Sequence, residues 1–278
     1  MNFDRRRFLG AAGAGALALA LPPPLLEFTG ARIGRIGLQL YTVRSLLAKD
    51  FEGTLEQVAK IGYKEVEFAG YFDRTPAQVR KLLDHLGLRA PSAHIPLESL
   101  QTDWARTLDA AEALGHEYLV VAWLDQRDRN SLAALGRTMD TFNKAGDEAW
   151  DRRIRFAYHN HDFEFTPVDG RLPYDVLLAG TDPRYVNFEM DLYWITKGGQ
   201  DPLAYFQKYP GRFPMVHVKD MAAGQAMVDV GKGRIDWARI FAKRKEAGIR
   251  HYFVEHDEPP DPIASITASY RYLKGLRF

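Results

Sequence analysis

The residues best able to do chemistry lie in the second half of the chain: His159 and His161, Asp191, His217 and Lys219, and Glu255. Imidazole nitrogens and carboxylate oxygens together suit one divalent ion, Mn²⁺, Zn²⁺, Co²⁺, Mg²⁺ or Fe²⁺, better than Ca²⁺. The 278 residues include no cysteine, which excludes a thiolate site, a disulfide framework and a cysteine nucleophile. Any metal must therefore be held by His, Asp or Glu. With positions left open, such an ion takes substrate oxygens and polarises a carbonyl.

Residues so far apart in sequence need a scaffold that gathers them. From Arg32 onward, short β-branched or apolar runs alternate with longer amphipathic ones. The runs predict strands at Arg35–Tyr41, Lys64–Phe68, Ala90–His94, Tyr118–Ala122, Arg155–His159, Val186–Asp191, Pro214–Lys219 and His251–Glu255. Helices are predicted at Gly53–Ile61, Pro76–Leu86, Thr102–Leu114, Ser131–Trp150, Tyr174–Ala179, Pro202–Lys208, Trp237–Ala247 and Pro262–Leu273. Gly62, Gly87, Gly115 and Gly248 close helices shortly before strands, and Pro76, Pro202 and Pro262 stand where a first helical turn accepts proline. Eight strand–helix units predict a single α/β domain over residues 32–278, a closed (β/α)₈ TIM barrel.

In a barrel strand, alternate side chains face the axis and the helices. The apolar parity (Val186, Phe188 and Met190; Val216 and Val218; Tyr252 and Val254) must pack under helices. The other parity turns Glu189, Asp191, His217, Lys219 and Glu255 inward, with His159 and, earlier, Glu67 and His94. Its last members lie at the C-terminal mouth, where barrel enzymes keep their chemistry. His159, Asp191, His217 and Glu255 end four consecutive strands ~4.8 Å apart and can close on one ion. His85 and His116 read as surface or packing residues, and His256 as peripheral.

The balance of 37 Lys and Arg against 36 Asp and Glu argues against a nucleic-acid partner. A mean hydropathy of −0.31 argues against a polytopic membrane protein. Asp4-Arg5-Arg6-Arg7-Phe8-Leu9-Gly10, then an Ala/Leu/Gly run to Leu21 and Pro22-Pro23-Pro24, has the form of a twin-arginine export signal over residues 1–31. The apolar run is too short to span a membrane, so the expected destination is the periplasm, reached in the folded state.

The pieces Gly37-Leu38-Gln39-Leu40-Tyr41, Gly62-Tyr63-Lys64-Glu65-Val66-Glu67-Phe68, Ser92-Ala93-His94, Ala157-Tyr158-His159-Asn160-His161, Glu189-Met190-Asp191, His217-Val218-Lys219-Asp220 and Val254-Glu255 resemble the xylose isomerase-like barrels. That sugar isomerase/epimerase superfamily also holds inosose dehydratases and AP-endonuclease relatives, and the resemblance runs from Ile33 to the C-terminus. It implies the metal shell His159, Asp191, His217 and Glu255. One departure matters. The epimerases carry Glu-Asn-His on the fifth strand, whereas this chain has His159-Asn160-His161, reminiscent of the dehydratase and keto-glycoside-cleaving branches.

The implied enzyme enolises an unphosphorylated sugar or keto-sugar. Reprotonation then isomerises or epimerises it; loss of a β-leaving group instead dehydrates a keto-inositol or cleaves a 3-keto-glycoside. His161 is the expected base, Glu255 shares acid/base work, and Lys219 hydrogen-bonds or protonates a substrate hydroxyl. Glu67, His94 and Glu164 are expected to contact substrate, and Tyr41, Trp194, Tyr71 and Trp123 to offer faces to a sugar ring. Gly231-Lys232-Gly233 reads as a loop after strand seven rather than a phosphate cradle. Relatives often pair, so a homodimer is compatible with the resemblance. Two rivals use the same barrel: a phosphodiesterase, which would need more inward histidines and a basic rim, and a non-catalytic periplasmic sugar-binding barrel.

Overall fold

The computed structural model describes residues 30–278, so the export-signal expectation lies outside the described residues. The barrel strands are β1 (Gly37–Gln39), β2 (Glu65–Phe68), β3 (Arg89–Ile95), β4 (Tyr118–Val121), β5 (Arg155–His159), β6 (Val186–Asp191), β7 (Met215–Val218) and β10 (His251–Val254). A hairpin, β8 (Asp220–Met221) and β9 (Met227–Val228), lies between the last two. All eight barrel strands pair in parallel and close in the order β1-β10-β7-β6-β5-β4-β3-β2. This is the predicted (β/α)₈ barrel.

Local chemistry sets the boundaries. β5 and β6 keep their predicted limits, but β1 stops at Gln39, whose side chain accepts the Tyr41 N–H at 3.0 Å and starts a 3₁₀ turn over Leu40–Val43. The helix Pro76–Leu86 carries a capping box between Thr75 and Gln78 and ends at Gly87, whose left-handed φ of 64° favours glycine. The helix predicted at Thr102–Leu114 divides at Asp103 and that at Trp237–Ala247 divides at Lys243. The short helix Leu192–Lys197, directly after β6, and the β8–β9 hairpin were not predicted.

The two parities fill two cores. Val66, Phe68, Phe156, Tyr158, Phe188, Val216 and Val254 pack outward under the helices. Tyr118, Val120, Ala157, Met215 and Phe253 form a separate apolar cluster inside the barrel. That plug separates the polar mouth from a bottom layer where His251 Nδ1 meets Glu65 at 2.8 Å. His85 is exposed; His116 is buried, its Nδ1–H donated to Ala90 O at 2.6 Å and its Nε2 2.9 Å from the Tyr71 hydroxyl. Among the described residues no helix is long and apolar enough to cross a membrane.

Candidate metal centre and active-site cavity

Above the plug, carboxylates and imidazoles alternate in two tiers. In the lower tier Glu67 Oε2 meets Gln39 Nε2 at 2.7 Å and His217 Nε2 at 2.6 Å, while its Oε1 accepts the Ser92 hydroxyl at 2.5 Å. Glu189 Oε2 faces His94 Nε2 at 2.9 Å, His217 Nε2 at 3.2 Å and His159 Nδ1 at 3.4 Å. Burial opposes a charge on His94, but Glu67 and Glu189 outweigh it and hold its pKa at about 9. The lower tier thus compensates its own charge.

Glu189 Oε1 and His159 Nδ1 are left without a hydrogen bond in the lower tier, and the upper tier leaves donors over nearer the mouth. With Nε2 of His217 committed to Glu67, its Nδ1 turns to the mouth, 2.7 Å from Glu255 Oε2 and 3.9 Å from Asp191 Oδ2. Buried Nδ1 has no hydrogen-bond partner despite that approach, and neither has Asp191 Oδ2. Asp191 Oδ1 is occupied, accepting the Trp194 N–H at 2.8 Å to cap the helix Leu192–Lys197. Asn160 clamps the same strand end: its Oδ1 accepts the Asp191 N–H at 3.1 Å and its Nδ2 approaches Asp191 O at 3.4 Å. Two buried atoms without a hydrogen bond, Asp191 Oδ2 and His217 Nδ1, converge beside the Glu255 carboxylate, with ligand atoms all within 4.8 Å of one another, and fit a divalent cation. The Glu67–His217 pair behind them is the usual support of a metal-bound imidazole.

The four predicted ligands do not form one mutually close set. His159 groups instead with His94, Glu189 and His217, and its Nε2 faces the three-residue set from 3.8 Å off Asp191 Oδ2. Inward parity had marked Glu189, but no role followed from the sequence. Lys219 Nζ enters the same tier, 3.1 Å from Asp191 Oδ2 and 2.8 Å from both Glu255 Oε2 and Asp257 Oδ1. Burial resists its charge, yet these three carboxylates push its pKa well above the ordinary value. Burial also raises the carboxyl of Asp191, to about 6, while at Glu255 the nearby Lys219 and His217 overcome burial and hold it low.

A cavity of about 790 Å³ opens over this tier. Among its lining residues are Tyr41, His94, Trp123, His159, His161, Trp194, Lys219 and Glu255. Met227, His256, Asp257 and Glu258 join them, so His256 is not peripheral. His161 is kept neutral by burial and by Lys219, with its pKa lowered to about 3, and its buried Nδ1 has no partner. Three expectations change. Glu67 lies in the lower tier beneath the cavity, tied to Gln39, Ser92 and His217, and does not line it. Glu164 is buried outside the lining; one carboxylate oxygen accepts the Tyr158 hydroxyl and the other the His161 N–H, at 2.8 Å. Tyr71 turns to His116 instead of the cavity. The amides of Gly231 and Gly233 point to Asp220 Oδ2, at 2.8 and 3.1 Å, which leaves no phosphate cradle there.

A closed parallel barrel with ionisable groups gathered at its C-terminal mouth has the layout in which TIM-barrel enzymes keep their chemistry. Residues 55–276 match the model of the xylose isomerase-like TIM barrel family, and the chain belongs to that family. It is 25% identical over 266 residues to an inosose dehydratase of Lacticaseibacillus casei, covering 82% of this chain and 88% of that one. An inosose dehydratase of Geobacillus thermodenitrificans is 24% identical over 258 residues, 77% and 84% of the two chains. The solved structure of a sugar phosphate isomerase/epimerase from Parabacteroides distasonis superposes with a TM-score of 0.78 at 27% identity, over 88% of this chain and 95% of that one. The IolI protein with a bound zinc atom shares the fold (TM-score 0.69, 14% identity, 85% and 95% coverage).

Proposed function

We propose that the protein is a divalent-metal-dependent enzyme that enolises an unphosphorylated keto-sugar or keto-cyclitol. The observation that carries this reading is the set of unpartnered buried atoms, Asp191 Oδ2 and His217 Nδ1 beside Glu255, under a cavity that also holds the free Nδ1 of His161. A metal ion held by Asp191, His217 and Glu255, with His159 alongside, would act as a Lewis acid on the substrate carbonyl. His161 is a neutral imidazole of low basicity, able to take only a proton that the adjacent carbonyl has already acidified. Asp162, Glu255, Asp257 and Glu258 outnumber Arg44 and Lys219 on the cavity wall, a balance that disfavours a phosphorylated substrate.

Within this chemistry, elimination is favoured over epimerisation. Epimerisation by opposed carboxylates needs a second free base, and the fifth-strand position offers His159 instead of a glutamate. The group placed to act after enolisation is Lys219, a cation on the cavity wall; three carboxylates make it a weak acid, so its proton passes only to a departing oxygen that already carries the leaving electron pair. The inosose dehydratase relatives are in keeping with such an exit. To test the reading, metal-loaded and EDTA-treated protein would be incubated in D₂O with a keto-inositol and with a 3-keto-glucoside. We expect α-deuteration or elimination only with metal. Deuterium exchange without elimination would remove the lyase reading, and no reaction or exchange on either compound would remove enolisation.

A further inference from the structure

Trp123 stands at the rim of the cavity that holds His161. This residue follows β4 and is 53% exposed, yet its ring is braced. It stands edge-on to His161 at 5.0 Å and to Phe163 at 5.1 Å, and its Nε1–H is donated to Asp125 Oδ1 at 3.1 Å. Arg129 lies over the Phe163 ring at 3.8 Å and completes the stack. An indole fixed in this way loses little freedom when a second ring packs on it. Trp123 borders two cavities: the one over the metal centre and a second of about 720 Å³, walled also by Leu97, Glu98, Gln101, Thr102 and Asp128. Ligand pockets span roughly 300–1,000 Å³ each, so the two together exceed the needs of one sugar ring.

We infer that the second cavity is a subsite for a second sugar unit of the substrate, with Trp123 as the platform at the junction. The side chains of Glu98, Gln101 and Asp128 offer a carboxylate, an amide and a second carboxylate to ring hydroxyls, which selects a hydroxylated ring over an apolar one. The inference rests on the elimination reading and gives its leaving group an identity. His161 takes the proton from the carbon beside the carbonyl, and that electron pair becomes the new C=C bond. The C–O bond to the second ring breaks, and its oxygen takes a proton from Lys219. No atom is oxidised or reduced overall; the products are an unsaturated keto-sugar and a free sugar.

The experiment compares a 3-keto-disaccharide with the corresponding one-ring 3-keto-sugar, by kcat/KM and by calorimetric Kd, on the metal-loaded full chain. We expect the wild type to prefer the disaccharide, Trp123→Ala to reduce that preference at least tenfold, and Gln101→Ala, a milder change in the second cavity alone, to reduce it severalfold. Equal affinity for the two compounds in the wild type would overturn the inference, as would a preference that survives both substitutions. If neither compound reacts, but the disaccharide binds more tightly and Trp123→Ala abolishes the difference, the elimination reading fails and the subsite stands. If only the one-ring compound reacts, with no disaccharide preference in binding, the subsite fails and the reaction stands.

Discussion

In the proposed reaction His161 would act through one side-chain nitrogen, and its backbone is held by a residue that does not line the cavity. Glu164 accepts the His161 N–H and the Tyr158 hydroxyl, and burial raises its carboxyl pKa to about 7. His161→Ala is expected to lower kcat by 10²- to 10⁴-fold, the usual share of a general base, with metal content unaltered. Steady-state kinetics beside metal analysis checks this; full activity would remove His161 as the base. Glu164→Gln should keep both hydrogen-bond partners and lower kcat only severalfold, with KM little changed, as expected of a positioning residue. Asp191 would separate ligation from capping, because Oδ1 holds the Trp194 N–H while Oδ2 has no hydrogen bond and faces the Lys219 ammonium at 3.1 Å. Asn caps helices as well as Asp does. Asp191→Asn should therefore leave the thermal midpoint of the metal-free protein within a few degrees while stoichiometric metal is lost on dialysis; a variant that keeps its metal would take Asp191 out of the shell.

At the scale of elements, the loop after β7 is organised around one buried carboxylate. Asp220 accepts from the N–H groups of Met221, Gly231, Gly233 and Ile235 at 2.8 to 3.3 Å and from the Trp237 indole at 3.1 Å. The loop carries Met227, whose sulfur accepts the Asp257 N–H at 3.2 Å, and Asp257 in turn holds Lys219. Asp220→Ala leaves several buried donors without partners, each at about 1–3 kcal/mol. A loss of at least about 3 kcal/mol in urea unfolding is expected, together with a fall in kcat through Lys219. Gly233→Ala should act in the same direction, since a Cβ there would collide with the Asp220 carboxylate. This loop also marks the reach of sequence reading. Alternating polarity was enough to place Asp191, His217, Lys219 and Glu255 inside the barrel, because one parity had to be apolar. It could not say that the glycine amides serve an internal anion, nor that Glu189 would join His159 while Glu164 turned away. Those outcomes depend on rotamer and depth, which the period-two pattern does not encode. The β8–β9 hairpin was unreadable for a related reason: two-residue strands have no period, and the chain after β9 is held by backbone N–H groups donated to the Asp220 carboxylate.

For the whole molecule, one histidine packed outside the two tiers and one within the lower tier couple stability to protons from both sides. His116 joins the β2–helix connection, through Tyr71, to Ala90 on β3, and both of its nitrogens are used in the neutral form. Burial lowers its pKa to about 4 from an unfolded value near 6.5. The unfolded chain therefore binds this proton first as pH falls, so the stabilisation is complete above about pH 6.5 and is lost on the way down to about pH 4. By that shift the loss is on the order of 3 kcal/mol. His94 has the opposite sign: held at about 9 by Glu67 and Glu189 against burial, it stabilises the metal-free fold below about pH 6.5 and ceases to do so as pH rises through 9. Stability of the metal-free protein is thus expected to peak near neutral pH and decline on both flanks. The measurement is urea unfolding at half-unit steps from pH 4 to pH 9.5, on the wild type and on His116→Gln, whose amide can serve both Ala90 O and the Tyr71 hydroxyl without titrating. The variant should lose the decline between pH 6.5 and pH 4 contributed by His116 and keep the alkaline one. An acid limb of unchanged slope in His116→Gln would mean that carboxylates at the mouth, and not this packing histidine, set the acid stability of the barrel.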